Sequence, residues 1–258
     1  ILRCLVGSEM CIRDRNTVTN LYGKEYDSSP TITREGEALG SYYGYVADGY
    51  FQSQEEIDMA DCVYGGNKAN IKPGYIRYVD VNHDGEINSK DRVILGNSTP
   101  RYEYSFTLGG QWKGIDLSLF FQGVGKRDLY YSGAGARPLV QNSTIFKSQL
   151  DTWSPENPDA EYPLLLVDAG STNMNNIVSS FWIKSGAYLR LKNLTVGYTL
   201  PKKWTNRVSI DNLRLYFTAS NLFTINNGYK GYDPETGVTS GAMYPVMKTF
   251  NFGINLDF

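Results

Sequence analysis

From Thr249 to Phe258 the chain alternates without a break: Phe250, Phe252, Ile254, Leu256 and Phe258 are apolar, while Thr249, Asn251, Gly253, Asn255 and Asp257 are polar or Gly. Successive side chains of a strand point to opposite faces, so this segment is a strand with one apolar and one polar side. The same period of two runs through Tyr102, Tyr104, Phe106, Leu108 and Trp112, set against Arg101, Glu103, Ser105, Thr107 and Gln111, with Gly110 the one gap. After Lys113-Gly114 it resumes in Ile115, Leu117, Leu119 and Phe121 against Asp116, Ser118 and Gln122, with Phe120 breaking the polar side. The pair predicts a hairpin with a tight turn. Two more strands are predicted at about 187–200, stopped by Pro201, and about 212–223. In the first, Leu189 and Leu191 fall out of phase with Leu194, Val196, Tyr198 and Leu200, which predicts a bulge near Lys192-Asn193.

The five strands, each of about 10–14 residues, are longer than the ~5–6 usual in soluble sheets and suit a tilted membrane strand of ~9–11 residues. Their connections alternate in length: two residues at 113–114, about 61 at 126–186, eleven at 201–211 and about 24 at 224–247. In an up-and-down barrel this puts tight turns at one end and large loops at the other, the asymmetry of bacterial outer-membrane barrels. By the same count, 22–100 falls on the long-loop side. Aromatic residues at strand ends (Tyr102, Trp112, Tyr198, Phe223, Phe258) suit a lipid–water interface. A soluble sandwich also alternates, but it must cover its apolar face. Five strands cannot close a barrel, and an open edge in lipid leaves backbone groups unpaired, so a membrane reading implies a fragment.

The 25 Lys+Arg and 27 Asp+Glu leave a formal net charge of −2, which gives no global attraction to nucleic acid. No apolar run exceeds about half a dozen residues, against roughly 20 for a membrane helix. The mean hydropathy of −0.37 is compatible with a barrel, whose strands alternate. One His, His83, rules out centres needing two imidazoles, and the three Cys, at 4, 11 and 62, form no CxxC pair. The chain opens on Ile1 with no charged-then-apolar leader, and the expectation is that its true N-terminus lies upstream. Residues 1–15, ILRCLVGSEMCIRDR, differ in composition from the Tyr-, Asn- and Gly-rich sequence after Asn16 and resemble a translated sequencing-adaptor read; they are expected to stand outside the fold.

Residues 80–91, DVNHDGEINSKD, carry a calcium-loop spacing. Asp80, Asn82 and Asp84 occupy positions 1, 3 and 5, Gly85 permits the sharp turn at 6, Glu86 offers its backbone carbonyl at 7, and Asp91 closes the shell at 12. Asp91 is one methylene shorter than the usual Glu, which predicts an altered loop path or weaker binding. The alternative is an Asx-rich turn without metal. A bound Ca²⁺ would brace a long loop, because no substrate-activating groups surround it. Other groupings are weaker. Asp151, Glu156, Asp159 and Glu161 sit in a Pro-containing loop where solvation is the simpler expectation than acid–base chemistry. Tyr42, Tyr43, Tyr45 and Tyr50 could stack on sugar rings or pack within their own loop. Lys202 and Lys203 beside Trp204 make only a short basic turn.

Several stretches in order then carry a family resemblance: GSYYGYVADGYFQ at 40–52, PGYIRYVDVNHDGEIN at 73–88, DLSLFFQG at 116–123, YLRLKNLTVGYTLP at 188–201, LRLYFTASNLFTI at 213–225, GYDPE at 231–235 and the aromatic-ended last strand. From Asn16 to Phe258 the chain resembles the C-terminal part of SusC/RagA-type TonB-dependent outer-membrane transporters. The resemblance implies an all-β fold: about six final strands of a 22-stranded antiparallel transmembrane barrel with long extracellular loops, the first strand being a remnant at about 16–21. It further implies a SusD-like surface lipoprotein as partner, an oligosaccharide or peptide as ligand, TonB acting on a plug that lies upstream, and contact with outer-membrane lipid; no nucleophile–base pair or open metal centre is discernible in the residues, so no enzymatic role is expected. The rival from another class is a secreted, calcium-stabilised β-domain that binds glycans, since DVNHDGEIN also resembles dockerin-type calcium loops. The two differ in whether a second layer covers the apolar strand faces.

Overall fold

The computed structural model describes residues 3–6, 10–13, 16–133, 145–166, 173–205, 210–226, 233–236, 244 and 246–258. The chain is all-β with short helical turns, and none of the described helices is long and apolar enough to cross a membrane. Five long strands form an open antiparallel meander: β1 (Tyr102–Trp112), β2 (Ile115–Lys126), β3 (Tyr188–Thr199), β4 (Asn212–Asn226) and β5 (Thr249–Asp257). These are the strands that alternation predicts. Lys113 (φ 47°) and Gly114 (φ 85°) make the two-residue turn between β1 and β2, both in the left-handed region that matches strand twist. A side chain at Gly114 would also meet the Thr199 carbonyl at 2.7 Å, so turn shape and the neighbouring strand both demand Gly there.

The expected bulge falls where the phase slips. β3 pairs Asn193 with Phe120 of β2 and then Leu191 with Phe121, leaving Lys192 as an extra residue, and the pairing with β4 shifts at the same place. Skipping one residue returns Leu191 and Leu189 to the side occupied by Leu194, Val196 and Tyr198. The sheet thus keeps a single apolar face along its whole length.

One expectation at the N-terminus needs correction. Residues 16–21 form no strand: Val18 exchanges backbone hydrogen bonds with the turn at Gly36 and Glu37, and the Asn16 side chain accepts from the Leu39 N–H, so these backbone groups are satisfied within the loops. Of residues 1–15, the described stretches Arg3–Val6 and Met10–Arg13 pair with β1. β1 would otherwise present a row of unpaired N–H and C=O groups, and such an edge templates any extended segment within reach. The pairing reflects that demand and says nothing of the segment's origin.

The turns at 113–114 and 200–211 lie at one end of the sheet, and the long connections lie at the other. The segments 16–100 and 127–187 are not independent loops. They share one core of Tyr45, Tyr50, Phe51, Ile57, Ile76, Tyr78, Trp153, Tyr162, Trp182 and their neighbours. Main-chain bonds stitch the halves together, with Tyr45 N–H donating to Val178 O (3.0 Å), Ser180 N–H to Tyr45 O (2.9 Å) and Leu164 N–H to Gly74 O (2.9 Å). Buried polar tips are paired: Trp153 Nε1 donates to Gln52 (2.9 Å), Trp182 Nε1 to Asn175 O (2.7 Å) and the Tyr50 hydroxyl to Ala160 O (3.2 Å). Within this body α1 (Gln54–Met59) starts at Ser53, whose hydroxyl accepts from Glu56 N–H (3.2 Å).

Candidate functional site

The strand register sets the apolar side chains in rows across the sheet. One row runs Leu108, Leu119, Leu194, Ala219, Phe250; the next has Leu117, Val196, Phe217, Phe252; the next Trp112, Ile115, Tyr198, Leu215, Ile254. Nothing among the described residues covers this face. On strands with a neighbour on both sides Ile115 is still 44% exposed, Leu215 43%, Leu117 41% and Val196 37%, and on the terminal strand β5 Phe252 reaches 85%. An apolar face of this extent far exceeds the scattered apolar residues of a soluble surface. Trp112 and Tyr198 fall at the turn end and Phe223 toward the loop end, where amphipathic rings suit an interface.

The opposite face is polar. Arg214 donates to both oxygens of Asp116, at 3.0 and 2.7 Å, and lies 5.2 Å over the Tyr216 ring. Gly197 sits under this pair, where a Cβ would fall 2.3 Å from the Asp116 carboxylate. Ser118, Thr195, Thr218 and Asn251 line the same side, and Ser220 donates to Asn193 (3.0 Å). Toward the loop end Arg190, only 2% exposed, gathers the segment 233–235 onto this face. Its Nη2 donates to both Asp233 oxygens (2.7 and 2.6 Å), its Nη1 to Glu235 and its Nε to the Thr224 hydroxyl (2.7 Å). Lys192 adds a bond to Glu235 (2.6 Å), and Arg127 donates to the carbonyls of Pro234 (3.2 Å) and Glu235 (3.4 Å). In the sequence Asp233 and Glu235 stand out only as members of a family-like stretch, and Arg190 belongs to no site motif. The signal that could have found it is a charged residue between Leu189 and Leu191 in a strand. Gly231 and Tyr232 of that stretch lie outside the described residues.

The 80–91 loop is closed by its own side chains. Asp80 accepts from His83 N–H (2.7 Å) and Gly85 N–H (2.9 Å), Asn82 from Asp84 N–H (2.9 Å), and Asp84 from Glu86 N–H (3.0 Å). His83 (φ 59°) and Gly85 (φ 85°) supply the left-handed steps. Asp91 is fully buried and accepts from Val81 (3.0 Å), Asn82 (3.4 Å) and Asn88 (2.8 Å) N–H groups, so both its oxygens are engaged by backbone. Asp80, Asn82 and Asp84 thus share the loop mouth, the Glu86 side chain is exposed, and Asp91 anchors the loop from within. Among the described residues no group of three His, Cys, Asp or Glu side chains meets in a metal-holding arrangement. Asn82 also donates its amide nitrogen to Asp84 (3.0 Å), while the carboxylates of Asp80 and Asp84 keep oxygen lone pairs of the kind a hard cation takes. Nearby Cys62 is a poor ligand, since burial pushes its thiol pKa up and Asp80 adds to the effect.

Tyr42, Tyr45 and Tyr50 are buried, and Arg92 lies 4.5 Å over the Tyr43 ring, so packing within the loop is what this cluster does. Burial also raises the Tyr45 phenol to about 12, which makes it a neutral core group. Asp151, Glu156 and Asp159 are exposed; Asp151 accepts from Asn157 (2.8 Å) and from Glu161 N–H (3.2 Å), a solvated turn. Lys202, Lys203 and Trp204 form a short exposed helical turn beyond β3.

No family model matches the chain. TonB-dependent receptor P3 of Formosa agariphila is 33% identical over 246 residues, taking in 88% of this chain and 23% of that protein. TonB-dependent receptor SusC of Bacteroides thetaiotaomicron is 28% identical over 218 residues, 83% of this chain and 20% of that protein. The solved structure of the RagAB peptide transporter superposes with a TM-score of 0.71 at 23% identity, over 100% of this chain and 27% of that chain. The chain spans about a quarter of the length of these relatives. By sequence over most of its length, and by fold over all of it, the chain is thus related to TonB-dependent receptors of the SusC/RagA type, of which it corresponds to about a quarter.

Proposed function

We propose that this chain is the C-terminal part of a 22-stranded outer-membrane importer that works with a SusD-like lipoprotein and takes up an oligosaccharide or peptide. The uncovered apolar face of β1–β5 carries the reading, because only hydrocarbon satisfies so wide an apolar surface without a second protein layer. In this role the strands are barrel wall, the joined loop body is the surface that meets ligand and lipoprotein, and TonB acts on parts that lie upstream. The role is transport, with no catalytic residue. A secreted glycan-binding domain, the rival, would need a layer over β1–β5. The test is fractionation of cells expressing the full-length protein, followed by uptake of labelled ligand with and without TonB. Outer-membrane location and TonB-dependent uptake are expected; a soluble, secreted product would refute the proposal.

The same reading assigns a bracing Ca²⁺ to the 80–91 loop, held by Asp80, Asn82, Asp84 and the Glu86 carbonyl, with Asp91 fixing the loop path. The ion would supply charge neutralisation among the carboxylates and no reaction chemistry. Asp84→Ala is expected to remove the calcium-dependent part of the protease resistance of 22–100 in the full-length protein. Equal digestion of the unaltered protein with calcium and with chelator would remove the ion from the proposal.

A further inference from the structure

Alternation tells β5 which face to show but leaves open which residue of β4 it meets. Its apolar side reads Phe250, Phe252, Ile254, Leu256 and its polar side Thr249, Asn251, Gly253, Asn255, so a slide of two residues keeps every side chain on its proper face. The tight turn at 113–114 fixes the pairing of β1 with β2. β4 and β5 are joined only through the long connection between Asn226 and Thr249, whose length sets no register. Side-chain bonds across the pair, from Asn212 to Asp257 (3.1 Å) and from Asn251 to the Thr218 hydroxyl (3.5 Å), are exposed. One position differs from the rest. Tyr216 stands opposite Gly253 and its side chain lies across it, where a Cβ would come within 2.6 Å of the ring atom Cε1. A slide of two in either direction brings Asn251 or Asn255 beneath the ring, and each carries the Cβ that this space excludes.

A free ring would swing aside, but this one is held. Arg214 lies 5.2 Å over Tyr216 and is itself fixed by Asp116 of β2, to both of whose oxygens it donates (3.0 and 2.7 Å). To do so it reaches across β3 at Gly197, where a Cβ would stand 2.6 Å from its Nη2. Asp116, Arg214, Tyr216 and Gly253 thus form a belt over four neighbouring strands, with glycine at both crossings. We propose that Tyr216 seated on Gly253 is the register key of β5, selecting one pairing among those that alternation allows. Register sets the stagger of a closed barrel, so on the importer reading a slip here is passed to whatever strand pairs with the other edge of β5. The selection itself does not rest on that reading, because it acts within this sheet.

The test is disulfide trapping in the full-length protein with its native cysteines changed to serine. Thr218→Cys with Asn251→Cys reports the observed register, Thr218→Cys with Thr249→Cys a slide of two one way, and Ser220→Cys with Asn251→Cys a slide the other way. In otherwise unaltered chains the first pair is expected to cross-link far more than either slid pair. Tyr216→Ala removes the key without adding bulk and is expected to raise cross-linking of at least one slid pair. Gly253→Ala is expected to lower the folded yield, read by protease resistance, about tenfold by overfilling the space beneath the ring. Adding Tyr216→Ala to it is expected to restore that yield. Unchanged cross-link ratios in Tyr216→Ala, full yield of Gly253→Ala, or a double variant no better than Gly253→Ala would each overturn the key. Heat-modifiable mobility of the unaltered protein reports membrane assembly separately: its absence would sink the importer reading, while the cross-link pattern would still read the register.

Discussion

Leu194→Arg in the full-length protein is expected to abolish assembly into the outer membrane, whereas Thr195→Arg, one residue along, is expected to assemble normally. Leu194 stands in the middle row of the apolar face, flanked by Leu119 and Ala219, while Thr195 points to the polar side with Ser118 and Thr218. A cation at the bilayer midplane of a barrel costs about 2–4 kcal/mol and near the interface about 0–1 kcal/mol. Alternation alone makes Leu256 a mid-strand residue, but its pairing with Leu213 puts it close to the turn end. Leu256→Arg should therefore be much milder than Leu194→Arg. Heat-modifiable gel mobility and membrane fractionation of the three variants give the ordering. Equal behaviour of Leu194→Arg and Thr195→Arg would mean that the apolar face does not meet lipid.

The strand core of the fold was legible because strands with one apolar face obey a period of two with few exceptions, and the one slip, at Leu191 and Leu194, marked a real bulge. The two-residue turn at Lys113-Gly114 was equally legible from its chemistry. The loop body was not. Its order comes from contacts between residues more than a hundred positions apart, such as Trp153 with Gln52, and no local pattern encodes them. The strand remnant that the family resemblance implies at 16–21 is not formed, because Val18 serves a loop contact instead. The calcium-type spacing was visible, yet spacing could not foretell that Asp91 spends both oxygens on backbone N–H groups. Tertiary context decides how a ligand-like side chain is used.

The bulge also explains how one strand serves an apolar and a polar face. With Lys192 extruded, Leu189, Leu191 and Leu194 all face the apolar side, while Arg190 and Lys192 both reach the segment 233–235 on the polar side. Arg190 is almost fully buried, with its donors directed at Thr224, Asp233 and Glu235, so truncating it leaves Asp233 without an ion-pair partner among the described residues and Glu235 with Lys192. Asp233 and Glu235 keep 20% and 28% of their side-chain surface exposed, so water offsets part of the loss and the cost falls below the ~3–5 kcal/mol of a fully buried pair. Arg190→Ala is therefore expected to release the connection between β4 and β5, read as faster hydrogen exchange and protease cleavage at 233–236, without loss of barrel assembly. Arg190→Lys should rescue only part, because an ammonium cannot span Asp233 and Glu235 as the guanidinium fork does. Asp233→Ala combined with Arg190→Ala should add little to the single change, since the two residues act as one contact. High salt should mimic neither variant, because buried pairs are weakly screened. Unchanged exchange at 233–236 in Arg190→Ala would mean that Lys192 and Arg127 suffice to hold the segment, and that the buried guanidinium serves the strand alone.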